Sequence, residues 1–337
     1  MKQNSRSLSV KGRVLLIGLC VSIGIIILSF FLGRYPGPFL TSPAAVLKDT
    51  LARTVVMEIR TPRIIMAFLL GMVLSASGMT FQMIFRNPLV DSGFLGVSGG
   101  AAFGASLAIV FLNGQVYTVQ LCAAFFALLG LAASYSIASR IRFGDWVLRL
   151  VLAGIAISAL FTSGTGVLKY MADPLQELPD ITFWLLGGLW GITWTDTIHI
   201  IIISLPCLCI IWLMRWRLNL LSMRDETAFS LIAAPGRERT VLLLAAVIAS
   251  AAVVSKAGQI GWVGLIVPHI SRRLVGSDAQ KALPCSLLLG GVFVLVCDDI
   301  SRTLLSGEIP LGILTSMIGA GGFLALLMNY RLGLKRK

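Results

Sequence analysis

Apolar runs about twenty residues long recur along this chain, and most are parted by short polar stretches. In helical form a run of that length crosses a hydrocarbon core near 30 Å thick. A backbone in lipid must satisfy its own hydrogen bonds, so these runs predict α-helices rather than open strands. Ten spans can be drawn: Val14–Gly33, Pro62–Phe85, Phe94–Leu112, Tyr117–Ser139, Trp146–Leu168, Thr197–Met214, Thr240–Ser255, Gly264–Val275, Leu283–Leu305 and Ile309–Tyr330. Arg86-Asn87-Pro88 ends the second, the flexible run Gly93–Gly100 opens the third, and Pro268 interrupts the eighth. A longer acidic connector, Lys169–Asp196, carries Trp184, Trp190 and Trp194. The fold class expected is all-α: one polytopic membrane domain, 1–337, with about ten transmembrane helices.

One stretch departs from this pattern. Arg215–Arg239 is 25 residues long and carries eight charges. Within it Ser222-Met-Arg-Asp225 has the form of a helix-capping box, in which the hydroxyl accepts an early N–H and the acid reaches back. A short helix is expected to follow and to end at Pro235-Gly236. Ala228, Phe229, Leu231 and Ile232 would share a face, with Asp225, Glu226 and Thr227 in the first turn. Two readings stand for this stretch, a solvated loop between spans and a docking surface for another protein.

Composition supports the membrane assignment. The chain is 57% hydrophobic and 13% charged, with a mean hydropathy of +0.90. Its net charge of +13 raises nucleic acid as a partner, but the placement of the charge argues otherwise. With the N-terminal segment in the cytoplasm, 20 of the 28 Lys and Arg residues fall on the inner side, and 9 of the 15 acids fall outside. That is the positive-inside pattern; it needs no nucleic acid and puts 215–239 in the cytoplasm. The first apolar run is too long for a signal-peptide core and is read as an uncleaved span. The six cysteines lie in or beside apolar runs and are read as small core residues. Gly100 and Gly104 form a GxxxG, first of all a packing signal.

Catalytic chemistry finds little support. The sequence has no phosphate-binding GxxxxGK[ST], no HExxH and no plausible Ser-His-Asp order. Its two histidines, His199 and His269, are read as structural, and no metal site or cofactor is assigned. The middles of the spans are almost free of charge; Lys169, Lys256, Asp298, Asp299 and Arg302 map near outer ends. Asp298 and Arg302 are four apart and can pair on one helix. An ion-coupled secondary transporter would bury carboxylates near the midplane, so that class is the weaker alternative. Arg60, Arg63 and Arg302 fall on a slightly acidic outer side, where topology does not call for arginine. They either receive carboxylates from a partner or an anionic ligand, or snorkel at the interface.

Several stretches together resemble the permease family of ABC importers for iron-siderophores, haem and vitamin B12, which includes molybdate importers. They are Arg60-Thr-Pro-Arg63, Phe85-Arg-Asn-Pro-Leu89 with Gly96-Val-Ser98, Leu218-Asn-Leu-Leu-Ser222, Gly261-Trp-Val-Gly-Leu-Ile-Val-Pro-His269, Leu274-Val-Gly276 and Ile309-Pro-Leu-Gly312. The resemblance implies a type II importer permease that works as a dimer, of identical or related chains. Its implied partners are two cytoplasmic ATPases, a periplasmic or extracellular binding protein and membrane lipid. ATP hydrolysis would belong to the separate ATPase, so this chain would be no enzyme. The implied setting is the inner membrane of a bacterium or archaeon, with both termini in the cytoplasm. The halves 60–168 and 240–330 would be inverted relatives. Arg60, Arg63 and Arg302 would meet acids of the binding protein. Leu220, Ser222, Asp225, Glu226, Ala228, Phe229 and Leu231 would form the ATPase coupling loop, and Ala156, Leu160 and Ser163 would line the path. The expected cargo is a ferric siderophore; cobalamin, haem and molybdate are alternatives. Arg224-Asp225 and the ending Leu231-Ile-Ala-Ala-Pro235 depart from the family pattern, as does Gly319-Ala-Gly-Gly322, which predicts a less kinked last span.

Overall fold

A computed structural model describes residues 2–35, 40–42, 46, 48–223, 227–228, 230, 235–305 and 307–334. Among them lie twelve α-helices and no β-strand beyond one isolated bridge, Leu32 to Leu40. The helices are α1 (Lys2–Phe31), α2 (Thr50–Ile84), α3 (Val97–Phe111), α4 (Val116–Arg140), α5 (Trp146–Met171), α6 (Glu177–Leu186), α7 (Trp194–Leu213), α8 (Arg215–Leu221), α9 (Pro235–Ala257), α10 (Val263–Val275), α11 (Ala279–Thr303) and α12 (Leu311–Leu334). Eight are long and apolar enough to cross a membrane: α1, α2, α4, α5, α7, α9, α11 and α12. The shorter α3 and α10 stand where the third and eighth spans were expected.

Three helices form the core. Most of α2, α9 and α11 is buried, whereas only 11% of the apolar window of α1 is. The α2–α11 crossing brings backbones together: a Cβ on Gly71 would lie 1.9 Å from the Gly290 carbonyl oxygen. Without a hydrophobic drive between helices in lipid, such close packing is what holds them. Ser75 Oγ adds a hydrogen bond to Ser286 O at 2.9 Å across the same contact. Gly100 and Gly104 do the equivalent for α3 on α4, so the GxxxG is spent on packing inside the chain.

Prolines and caps move several expected boundaries. Pro62 was expected to open the second span, yet α2 runs from Thr50 straight through it. A π-helical turn, Val55–Arg60, widens the helix just before, and Thr61 Oγ1 donates to Val56 O at 2.7 Å. Pro268 does not interrupt α10. The carbonyl that its missing N–H would have paired is that of Gly264, and the Gln82 amide donates to it at 3.0 Å. Pro235 begins α9 rather than ending a helix, as suits a residue with no N–H to satisfy. Ser222 closes α8: its N–H donates to Leu218 O and its Oγ to Asn219 O at 2.7 Å. Thr227, Ala228 and Ser230 beyond it are helical, and the acid of the expected capping box, Asp225, lies outside the described residues. The acidic connector holds a helix of its own, α6, whose 10 residues lack the length of a span. Cys207, Cys285 and Cys297 are buried as expected, while Cys20 and Cys209 face outward from α1 and α7.

The segment between α2 and α3 turns back into the protein. Ser158 Oγ donates to Gly93 O at 2.9 Å, and Ser134 Oγ to Leu95 O at 3.1 Å. Ser158 lies twelve residues into α5, so its contact with Gly93 sits roughly 18 Å from the start of that helix. The chain thus re-enters to mid-depth before α3 begins, and α3 needs only 15 residues to reach the far side.

Candidate functional site

Among the described residues, three regions hold the residues and the cavity that bear on function. The first is the outer end, where α1, α2 and α11 meet. Arg63, in the first turn after the π segment, forms a bidentate pair with Asp298, Nε at 3.0 Å and Nη2 at 2.9 Å from Oδ1. Its other nitrogen reaches Glu308 at 2.8 Å. Asp298 is wholly buried, and Glu308 is 34% exposed, so Glu308 covers the solvent edge of Arg63. Arg60 and Arg302 bind backbone instead. Arg60 donates to Phe30 O, Tyr35 O and Thr41 Oγ1 at 3.2, 2.9 and 2.8 Å. Arg302 donates to Leu32 O at 2.7 Å and Ser29 O at 2.8 Å, and pairs with Asp299. The last carbonyls of a helix have no partners of their own, so these two arginines cap the end of α1. The Asp298–Arg302 pair foreseen from spacing is present but long, at 3.7 Å. Arg63 and Arg302 thus share three carboxylates, Asp298, Asp299 and Glu308, whereas Arg60 is held by neutral oxygens alone.

The second region is central. Four segments converge: the start of α3, the end of α6, the turn from α9 to α10, and the start of α12. Gln259 donates to Ser98 O at 3.1 Å, Gly188 N to Ala257 O at 2.8 Å, and Leu311 N to Gly187 O at 2.9 Å. The α9–α10 turn holds Trp262 at φ +69°, a left-handed conformation uncommon for a bulky residue. Around this crossing lies a cavity of about 590 Å³, with Asp91, Ser98, Gln259, Trp262 and Ser316 in its wall. Asp91, Gln259 and Ser316 were not singled out from sequence; Ser98 and Trp262 stood in stretches quoted for the family resemblance but were given no role in a site. Ala156, Leu160 and Ser163 stand elsewhere, together on the exposed side of α5, with Leu160 68% exposed.

The third region holds the stretch expected in the cytoplasm from the charge pattern of the sequence. Leu218 and Leu221 bury the inner side of α8 completely, and Leu220 is half-buried. Asn219 is clamped to the start of α11: its Nδ2 donates to Asp278 Oδ1 at 2.7 Å, and its Oδ1 accepts from Ala279 N at 2.8 Å. Arg217 pairs with Glu238 of α9 at 3.1 Å. Ala228 is buried, and Thr227 and Ser230 are exposed beside it. Asp225, Glu226, Phe229 and Leu231 lie outside the described residues. Among the described residues no group of three or more His, Cys, Asp or Glu is placed to hold a metal ion.

Known proteins resemble this chain in sequence and fold. The chain matches the FecCD transport family over residues 16–329. It is 36% identical to the molybdate import system permease protein MolB of Haemophilus influenzae, over 91% of this chain and 93% of that one. It is 40% identical to an iron chelatin transport system permease protein of Helicobacter pylori, over 82% and 83%. A solved structure of a metal-chelate type ABC transporter in an inward-facing conformation superposes with a TM-score of 0.86 at 34% identity, covering 94% of this chain and 99% of that one. With a family match over nearly its whole length and relatives this similar, the chain belongs to the FecCD transport family.

Proposed function

We propose that this chain is the transmembrane permease subunit of an ATP-driven importer of metal chelates, with a ferric siderophore as its cargo. The observation that carries this reading is the close superposition, over almost the whole of both chains, on a metal-chelate type ABC transporter. The working unit would pair this chain with a second permease copy, two cytoplasmic ATPases and an external binding protein. The positive-inside count supports an inner-membrane protein of a bacterium or archaeon with both termini in the cytoplasm. The two buried turns that meet at Gln259 and Ser98, each opening a short helix, support the inverted relation of the halves 60–168 and 240–330.

In this mechanism the binding protein delivers the chelate to the outer face, where Arg63, with Arg60 and Arg302 behind it, would receive its acids. Leu220, Ser222 and Ala228, with Asp225, Glu226, Phe229 and Leu231, would pass ATPase motion to the helices. The cargo would cross beside the exposed side of α5, past Ala156, Leu160 and Ser163. Selectivity would belong to the binding protein, since relatives named for molybdate and for iron chelatin match this chain at similar identity. Cobalamin, haem and molybdate are the alternative cargoes under the same mechanism. Reconstitution with ATPase and binding protein tests the class: uptake should require ATP hydrolysis. Native mass spectrometry of the binding protein should show a ferric siderophore.

One observation favours a different class. Asp91 faces the central cavity, where an ion-coupled carrier would need an acid. Its Oδ1 accepts the Gly93 N–H at 2.9 Å, which is the work of a turn cap. Uptake driven by a proton or sodium gradient without ATP would favour the carrier.

A further inference from the structure

Helix α11 joins the two surfaces that this transport reading assigns to partners. Its 25 residues span roughly 37 Å, enough to cross the hydrocarbon core. Its outer end carries Asp298, Asp299 and Arg302, which hold Arg63 and the end of α1. Its inner end starts at Asp278, the N-cap, whose Oδ1 accepts from Gln280 N at 3.0 Å. To that same first turn Asn219 is bound by two hydrogen bonds of opposite sense. The amide has one orientation only, because flipping it would set Nδ2 against the Ala279 N–H and Oδ1 against a carboxylate.

Burial of Leu218 and Leu221 already holds α8 on the protein. Apolar burial has no direction, so it does not fix how α8 is registered along α11. The Asn219 clamp does. We infer that Asn219 is a positioning residue, which locks the cytoplasmic stub α8 to the first turn of α11 so that a shift of the outer cluster moves the ATPase contact. The inference rests on the permease reading and adds a route by which a docked binding protein is sensed inside.

A charge swap tests it. Asn219→Asp keeps an acceptor for the Ala279 N–H but sets a second carboxylate against Asp278. Asp278→Asn keeps a good N-cap. In the double variant the second carboxylate is gone, and the new acid at position 219 keeps the Ala279 N–H. The new amide at position 278, turned about χ2, presents its Nδ2 to that acid, giving up the Gln280 N–H that Asp278 Oδ1 accepts in the wild type. Each form is reconstituted in lipid with the ATPase and the binding protein. Retention of the ATPase, basal hydrolysis and hydrolysis stimulated by the binding protein are then measured. Asn219→Asp should retain the ATPase and its basal rate and lose about ten-fold in stimulation, within the usual range of coupling between sites. The double variant should recover most of that loss. Full stimulation in Asn219→Asp, loss of ATPase retention in that variant, or no recovery in the folded double variant would each overturn the inference. Wild-type uptake without ATP would overturn the permease reading itself, and is seen before any variant is made.

Discussion

Arg63 is the one outer arginine whose partners differ sharply in exposure, and that difference sets what each substitution should do. Asp298 has no access to water, so Arg63→Ala leaves a buried charge with only the long Arg302 pair at 3.7 Å. The cost should be about 3–5 kcal/mol, read as a lowered melting temperature in detergent. Glu308 is a third exposed, and Glu308→Gln should cost under about 1 kcal/mol. The same change uncovers the edge of Arg63. Affinity for the binding protein should therefore rise a few-fold at low salt, with the gain fading at high salt. Unchanged affinity at both ionic strengths would leave Arg63 as a strut between α2 and α11. Reversal to Glu is a poorer probe of docking, because it sets one acid beside another in a buried site. Arg60, Arg63 and Arg302 were legible in the sequence because the positive-inside pattern does not call for arginine on an outer face. Their partners were not. Asp298 lies 235 residues from Arg63, and the acceptors of Arg60 and Arg302 are mostly carbonyls, which no side-chain pattern displays.

Among the elements, the full-length spans were legible because apolar runs are set by the thickness of the bilayer. The short ones were less so. Both α3 and α10 begin at turns buried inside the protein, and hydropathy does not distinguish a buried turn from the start of a span. Likewise α6 was hidden in a connector that looked merely acidic. Pro268 shows how a local rule is met by a distant residue, since Gln82 takes up the carbonyl that the proline frees. The glycines follow the same logic: sequence marks many of them, and only the fold tells which ones touch. Gly71→Val should push α2 off α11, because even a Cβ there would overlap the Gly290 carbonyl. A loss of at least 1–3 kcal/mol is expected, seen as poor yield of monodisperse protein. Gly321→Val in α12 meets nothing within 4 Å and should behave as wild type in the same assay. Equal behaviour of the two would mean that the crossing yields more than close packing allows.

For the whole molecule the open question is which route the cargo takes. The residues Ala156, Leu160 and Ser163 put it along the exposed side of α5, where a second copy would complete the wall. The cavity at the centre puts it between the buried turns, past Asp91, Gln259 and Ser316. A bulky residue separates the two, because a filled passage blocks transport while the surfaces for ATPase and binding protein are left alone. Ser316→Trp projects into the cavity of about 590 Å³, and Ser163→Trp onto α5. Uptake and ATP hydrolysis stimulated by the binding protein are measured side by side in reconstituted vesicles. The route along α5 predicts that Ser163→Trp abolishes uptake and keeps stimulated hydrolysis, while Ser316→Trp transports normally. The reverse pattern assigns the route to the central cavity. Asp91 would then meet the cargo directly, and Asp91→Asn should alter the uptake of charged chelates more than that of neutral ones, since a desolvated carboxylate repels anions strongly. Stimulated hydrolysis lost together with uptake would show that the indole had disturbed coupling, and the smaller change Ser316→Leu would then replace it.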